Sequence, residues 1–154
     1  MKYLNNDIYQ KACFPGGKEN EEKWHELYNQ YLQEFNKTSS RLPKTFLKEF
    51  EKQHMHDYIV KNILIIRKEL KSKFHYDLTL CLTRYNHIND HLLKFTNVKK
   101  LKGSLFTNYT NSFYDWIHSE ILAVDEKRMS IEILFNKEDK LYFEFSRLHY
   151  KGNL

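Results

Sequence analysis

The hydrophobic period of this chain changes once, near residue 58, and that change limits what it can fold into. Before Gln53 apolar residues recur every three or four positions; from Tyr58 onward they run together or alternate. In "NEEKWHELYNQYLQEF", Trp24, Leu27, Tyr28, Tyr31, Leu32 and Phe35 make one stripe along a helix. Asn20 is its expected N-cap, and Glu21 and Glu22 suit the positive end of the helix dipole. Before it, "DIYQKAC" predicts a short helix that ends at the breaker Pro15–Gly17. After it, "TSSRLP" stops the long helix. A third helix opens at Pro43, which lacks the N–H that a first turn leaves unused, and buries Phe46, Leu47 and Phe50 before running out near His54.

The second part predicts strands. "YIVKNILIIRKEL" is β-branched and apolar, and "YDLTLCLTRY" sets Leu78, Leu80 and Leu82 against Thr79, Cys81 and Thr83. "HLLKFTNVKKLKG" and "DWIHSEILAVDE" are two more candidates. "RMSIEILFNKEDKLYFEFSRLHY" predicts a hairpin turning at "NKED", with Met129, Ile131, Ile133, Phe135, Leu141, Phe143 and Phe145 on one side. Its other side carries Ser130, Glu132, Tyr142, Glu144 and Ser146. One apolar and one polar face is the pattern of an antiparallel sheet covered on one side. Helices first and strands afterwards argue for the α+β class. The expectation is a single domain over 1–154, with N-terminal helices (1–55) packed on one face of a five- or six-stranded antiparallel sheet (56–150).

Length and composition agree with one packed core. The chain has 154 residues, and its 41% hydrophobic and 16% aromatic content leaves little room for disorder. The N-terminus lacks the apolar core of a signal peptide, and no apolar run approaches the ~20 residues of a membrane helix. Cys13 and Cys81 form no metal-type pair or disulfide framework. A cytoplasmic protein without a membrane partner or cofactor is the expectation.

Charge is unevenly spread. Residues 37–73 carry ten Lys/Arg against four Asp/Glu, and residues 115–145 carry four against eight. Lys44, Lys48 and Lys52 recur at helical spacing, the pattern of a solvated helix face. Lys99, Lys100 and Lys102, near Phe95, Phe106 and Tyr109, are the residue types that hold single-stranded nucleic acid by charge and stacking. A charged turn at a strand end explains them equally, so nucleic-acid binding ranks third among the functional readings.

The densest group of chemically active side chains is "HMHD": His54, His56 and Asp57. A metal site would need more donors. His87 and His91 have the i, i+4 spacing of a helical metal pair, and His118 and Glu120 would share one face of a strand. A metal-dependent enzyme built from His54, His56, Asp57, His87, His91 and His118 is therefore the alternative reading. The simpler account makes "HMHD" the joint between helix and sheet, with Asp57 accepting backbone N–H groups in a turn. Hydrolase, kinase and nucleotide-binding signatures are absent from the sequence. Neither Cys13 nor Cys81 belongs to a recognisable nucleophile motif.

The segments "HD" before a strand, "DLTLCL", "LLKFTNV", "DWIHSEI", "MSIEILF" and "LYFEFSRLHY", in this order, resemble an uncharacterised family of Gram-positive bacterial proteins known only as a domain of unknown function. The likeness covers about residues 1–9 and 43–150. "MKYL" stands where the family has "MKYF", and "MHDY" where it has "LHDA". The resemblance implies a helical first part and a closing hairpin. It makes His56 and Asp57 the family's HD pair and Glu120 the acid of a W-x-x-x-E strand. It implies no activity. Size and architecture are also similar to the immunity proteins of bacterial toxin systems, which act by occupying a surface.

The leading reading is thus a binding protein that acts by protein–protein contact, as an immunity protein or regulator. Its expected surface is the polar sheet face with Glu132, Tyr142 and Glu144, beside Asp125, Glu126, Glu138 and Asp139. Such an acidic face would steer a basic partner.

Overall fold

A computed structural model describes residues 1–4, 6–13, 18–53, 55–56, 58–70, 73–84, 89–103, 114–136 and 139–152. Among the described residues three helices come first: α1 (Asn6–Cys13), α2 (Lys18–Ser39) and α3 (Lys44–Gln53). Seven described strands follow: β1 (Tyr58–Leu70), β2 (Lys73–Arg84), β3 (Asp90–Gly103), β4 (Tyr114–Ala123), β5 (Met129–Phe135), β6 (Lys140–Phe145) and β7 (Arg147–Lys151). The class is α+β, as the order of periods predicts. Asn20 proves to lie inside α2, which starts at Lys18 and not at an Asn20 cap. The helix also runs into "TSS", because the hydroxyls of Thr38 and Ser39 donate back to the carbonyls of Glu34 and Asn36 at 3.4 and 3.0 Å.

Every strand pairing is antiparallel, and the sheet closes on itself. β1 pairs with β2 and β2 with β3. The second edge of β3 takes β7 along Leu92–Thr96 and β6 along Lys99–Gly103. β6 pairs with β5, and β5 with β4. β4 returns to β1 through three residue pairs, Tyr58–Trp116, Ile59–Asp115 and Val60–Tyr114. The seventh strand corrects the expected five or six. The last strand of the closing hairpin breaks at Ser146, whose N–H donates to the Thr96 carbonyl at 3.0 Å, and continues along β3 as β7.

The apolar sides of the strands meet in the core. Leu78, Leu80, Leu82, Leu93, Phe95, Ile131, Ile133, Phe143 and Phe145 are all fully buried. Phe95 stands edge-on to Phe143 and Phe145, with ring centroids 4.7 and 5.0 Å away, the arrangement ring quadrupoles favour. Each such side chain contributes about 1.5–3 kcal/mol by leaving water.

The helices reach the sheet through aromatic side chains. Tyr31 of α2 accepts the N–H of Ile121 in β4 at 3.1 Å. In α3, Phe50 stacks on Phe35 of α2 at 5.2 Å, and Phe46 meets Tyr150 of β7 edge-on at 5.9 Å. Tyr58 of β1 donates to Glu49 of α3 at 2.7 Å. Burial pushes the phenols of Tyr31 and Tyr58 above their ordinary range. No helix among the described residues is long and apolar enough to cross a membrane.

Candidate functional site

α3 and β1 meet at a tight joint around Met55 and His56. α3 ends at Gln53, β1 begins at Tyr58, and the Tyr58 N–H donates to the Met55 carbonyl at 3.2 Å. Met55 has φ of 59°, a left-handed conformation unfavourable for a side chain of this kind, and is fully buried. Burial of its thioether offsets that backbone cost. His54, Asp57 and His87 lie outside the described residues. His56 is half-buried, with its ring 6.1 Å from that of His118. The His118 ring packs against Tyr9 of α1 at 4.3 Å and Trp24 of α2 at 5.1 Å.

The other proposed donors are held elsewhere. His91 is a strand residue; its Nδ1 lies 2.7 Å from the Tyr150 hydroxyl, and its ring stands edge-on to Tyr58 at 5.0 Å. Burial, chiefly, pushes the Tyr150 phenol up to about 12. Glu120 is buried, and its carboxylate accepts the backbone N–H groups of Lys2, Tyr3 and Leu4. The structure therefore brings His56 and His118 together but gives Glu120 and His91 other partners. Among the described residues no group of three or more His, Cys, Asp and Glu side chains could hold a metal ion.

The polar sheet face is where the alternation places it. Glu120, Glu132 and Tyr142 form one cross-strand row over β4, β5 and β6, and Leu122, Ser130 and Glu144 form the next. Its charge differs from the acidic surface expected. Glu144 is only 2% exposed and is gripped by Lys100 at 2.7 Å and Arg128 at 3.0 Å. The hydrogen bond from Lys100 holds its carboxyl below the ordinary range, against the opposing effect of burial. Asp125 accepts the N–H groups of Lys127 and Arg128 at 2.8 and 2.7 Å and pairs with the Arg128 guanidinium. Those bonds, the Lys127 N–H first, lower its pKa too. Glu132 receives the Met1 amino group at 2.7 Å.

Lysines of β3 complete this face. One open recess is lined by Lys99, Asp125, Glu126, Lys127 and Arg128, with Asn97 and Ser146. Another is lined by Lys102, Lys140, Glu132, Tyr142 and Gly103. The surface is of mixed charge. Charge counted along the chain missed this because β3 pairs with β6, setting the basic 97–103 segment opposite residues 141–144. Glu138 lies outside the described residues, while the Asp139 carbonyl accepts the Phe135 N–H at 2.8 Å in the hairpin turn.

A third feature went unmarked in the sequence. The β1–β2 hairpin is core at its base and an exposed arm at its end. Leu64, Ile65, Ile66, Phe74 and Tyr76 are 52, 39, 41, 52 and 42% exposed. The register puts Leu64 and Ile66 on one face, and Ile65, Arg67, Tyr76 and Phe74 on the other. Arg67 covers the Phe74 ring at 3.5 Å. On the Leu64 face, buried Asp77 pairs with Lys68 at 2.5 Å and accepts the Asn97 N–H at 3.4 Å. Burial opposes ionisation there, but Lys68, the Asn97 N–H and Lys94 together lower its pKa. Among the described residues the outer edge of β1 pairs with β4 as far as Val60. From Lys61 to Leu70 no described strand lies along it.

Compared with models of known protein families and with curated proteins, the chain matches none.

Proposed function

We propose that this protein works by binding another protein chain, and that the contact runs through the β1–β2 arm. The observation that carries this is the cluster of exposed apolar side chains, Leu64, Ile65, Ile66, Phe74 and Tyr76, on both faces of one ribbon. Exposed apolar side chains gathered on one element are the mark of a contact site, whereas scattered single leucines are not. Aromatic and Arg side chains such as Phe74, Tyr76 and Arg67 are those enriched where binding energy concentrates. The polar face with Glu132, Tyr142, Glu144, Asp125 and Glu126 supports this role less well. Glu132, Glu144 and Asp125 already have cationic partners, so a basic protein would have to displace Lys100 and Arg128. Immunity proteins also act by occupying a surface, and that mode is taken from them by analogy.

Photo-crosslinking in the producing cell tests the proposal. A photoreactive residue at Phe74 should trap a defined protein, and one at Tyr142 should not. The trapped protein, once purified, should bind the wild-type chain and lose affinity at least tenfold for a Leu64→Asp/Ile66→Asp variant. Adducts from position 142 alone, or affinity unchanged in the variant, would refute the assignment.

A further inference from the structure

We infer that the protein which docks on the arm is acidic, and that its contact runs from Leu64 and Ile66 across the outer face of β2 and β3 to the cations of β7. This rests on the arm being a contact surface and adds the charge of its partner.

Register builds the surface. Leu64 lies opposite Thr79 of β2, Thr79 opposite Lys94 of β3, and Lys94 opposite His149 of β7. The next row, two residues along each strand, is Asn62, Cys81, Leu92 and Lys151. On the other side Ile66 lies opposite Asp77 and Thr96 opposite Arg147, with the bulge of the β2–β3 pairing between Asp77 and Thr96. Directly opposed residues share a face, as do residues two apart on one strand, so these rows form one continuous surface. The alternate residues Leu78, Leu80, Leu93, Phe95 and Leu148 are buried in the core, which puts the rows on the outside. Four strands at a spacing of ~4.8 Å carry the surface ~14 Å from Leu64 to His149, the scale of a protein contact and not of a single bound ion.

Charge is the second argument. Among the described residues two acids lie on this surface, and each is already held. Asp77, only 4% exposed, is shared between Lys68 at 2.5 Å and Lys94 at 3.9 Å. Asp90 pairs with Lys61 at 2.9 Å. Arg147 and Lys151 are exposed and pair with no described acid. Five cations therefore face two acids, and the excess lies on β3 and β7, beside the apolar side chains of β1. Apolar side chains flanked by charge of one sign select a partner whose apolar patch is flanked by the opposite sign.

The missing aromatics are the third argument, and they favour a protein over a nucleic acid. Among the described residues this face carries no Tyr, Phe or Trp on which a base could stack. Phe74, Tyr76, Phe95 and Tyr150 all alternate onto the opposite face.

Photo-crosslinking followed by stopped-flow association tests the inference. A photoreactive residue at His149 should trap the same protein as one at Phe74. With that protein purified, the association rate should fall at least tenfold in Arg147→Glu/Lys151→Glu, and the wild-type rate should fall as salt is added. Lys18→Glu/Lys23→Glu, on exposed positions of α2, makes the same change in net charge and should alter the rate by no more than about threefold. All four sites are exposed, so both variants keep the fold. Fluorescein-labelled oligoglutamate, a defined acidic probe, should lose affinity in the first variant and not in the second.

A rate that is indifferent to Arg147→Glu/Lys151→Glu, or raised by it, overturns the acidic partner and leaves the arm as a contact surface. Equal affinity of oligoglutamate for all three proteins overturns it as well. If position 74 traps no protein, the arm and its acidic partner fall together. Nucleic-acid adducts from position 149 without a protein adduct would give the face to a phosphate backbone and overturn the inference too.

Discussion

Glu120 accepts the backbone N–H of Tyr3 at 2.6 Å, joining β4 to a residue 117 positions earlier in the chain. The same carboxylate takes the N–H of Leu4 and, at 2.8 Å, that of Lys2. A carboxylate out of water is costly unless its lone pairs are filled, and three amides fill them. Tyr3 and Leu4, both buried, are thereby fixed against the core. Glu120→Gln keeps the shape but directs an NH2 at one of the amides. The expected loss is about 2–4 kcal/mol, read as a lower urea midpoint with an unchanged slope. Amide exchange at residues 2–4 should accelerate most. A midpoint equal to that of the wild type would remove Glu120 as the anchor of this segment.

Glu144 should give the protein an acid-sensitive component of stability. Lys100 and Arg128 favour its ionised form in the folded state and hold its pKa below the unfolded value. The folded chain then binds fewer protons than the unfolded one as pH falls, so stability falls with it. The contribution is complete above the unfolded glutamate pKa of about 4.3 and disappears once pH drops through the folded value. Glu144→Gln should cost about 1–2 kcal/mol at neutral pH, the low end for a charged pair because Lys100 remains well solvated. The two proteins should converge in stability once pH has fallen through the folded value. Denaturant titrations at a series of pH values decide this, and a constant difference down to that limit would contradict it.

How far the sequence reveals this molecule depends on whether a property is local. The strand Tyr58–Leu70 and the alternation Leu78, Leu80, Leu82 are local, and both are legible from composition and period. The break at Ser146 is not, because it depends on the Thr96 carbonyl of a strand 50 residues earlier. The polar face was legible as a face, since Glu132 and Glu144 alternate with buried neighbours. Its charge was not, because Lys100 reaches Glu144 only through a bulge at which Lys100 itself has φ of 51°. The arm was hidden for a related reason. "NILII" has the same composition whether it is exposed or covered, and the described pairing of β4 with β1 ends at Val60.

Metal removal should leave the protein unchanged. A site drawn from His54, His56, Asp57, His87, His91 and His118 loses His91 to the Tyr150 hydroxyl. Glu120, the acid that could have assisted it, is committed to three amides. Untagged native protein analysed by elemental mass spectrometry should carry well under one transition metal per chain, and treatment with a chelator should leave Tm within about 1 °C of its starting value, since metal that binds the folded state would raise it. Stoichiometric zinc, iron, manganese or nickel that His56→Ala abolishes would instead establish the enzyme reading.

The β1–β2 hairpin offers the sharpest contrast within one element. Leu80 and Leu64 are both leucines of this hairpin, yet Leu80 is fully buried and Leu64 is 52% exposed. Leu80→Ala should cost about 2–5 kcal/mol, the lost transfer energy plus a cavity among Leu93, Ile63 and their neighbours. Leu64→Glu should change the stability of the folded monomer by no more than about 0.5 kcal/mol, because it leaves no cavity and desolvates no charge. It should nevertheless improve solubility, since it places a charge in the middle of an apolar edge. Urea unfolding of both variants at low protein concentration separates these effects from association. If Leu64→Glu proved as damaging as Leu80→Ala, the outer hairpin would be part of the core and the arm would not be a surface at all.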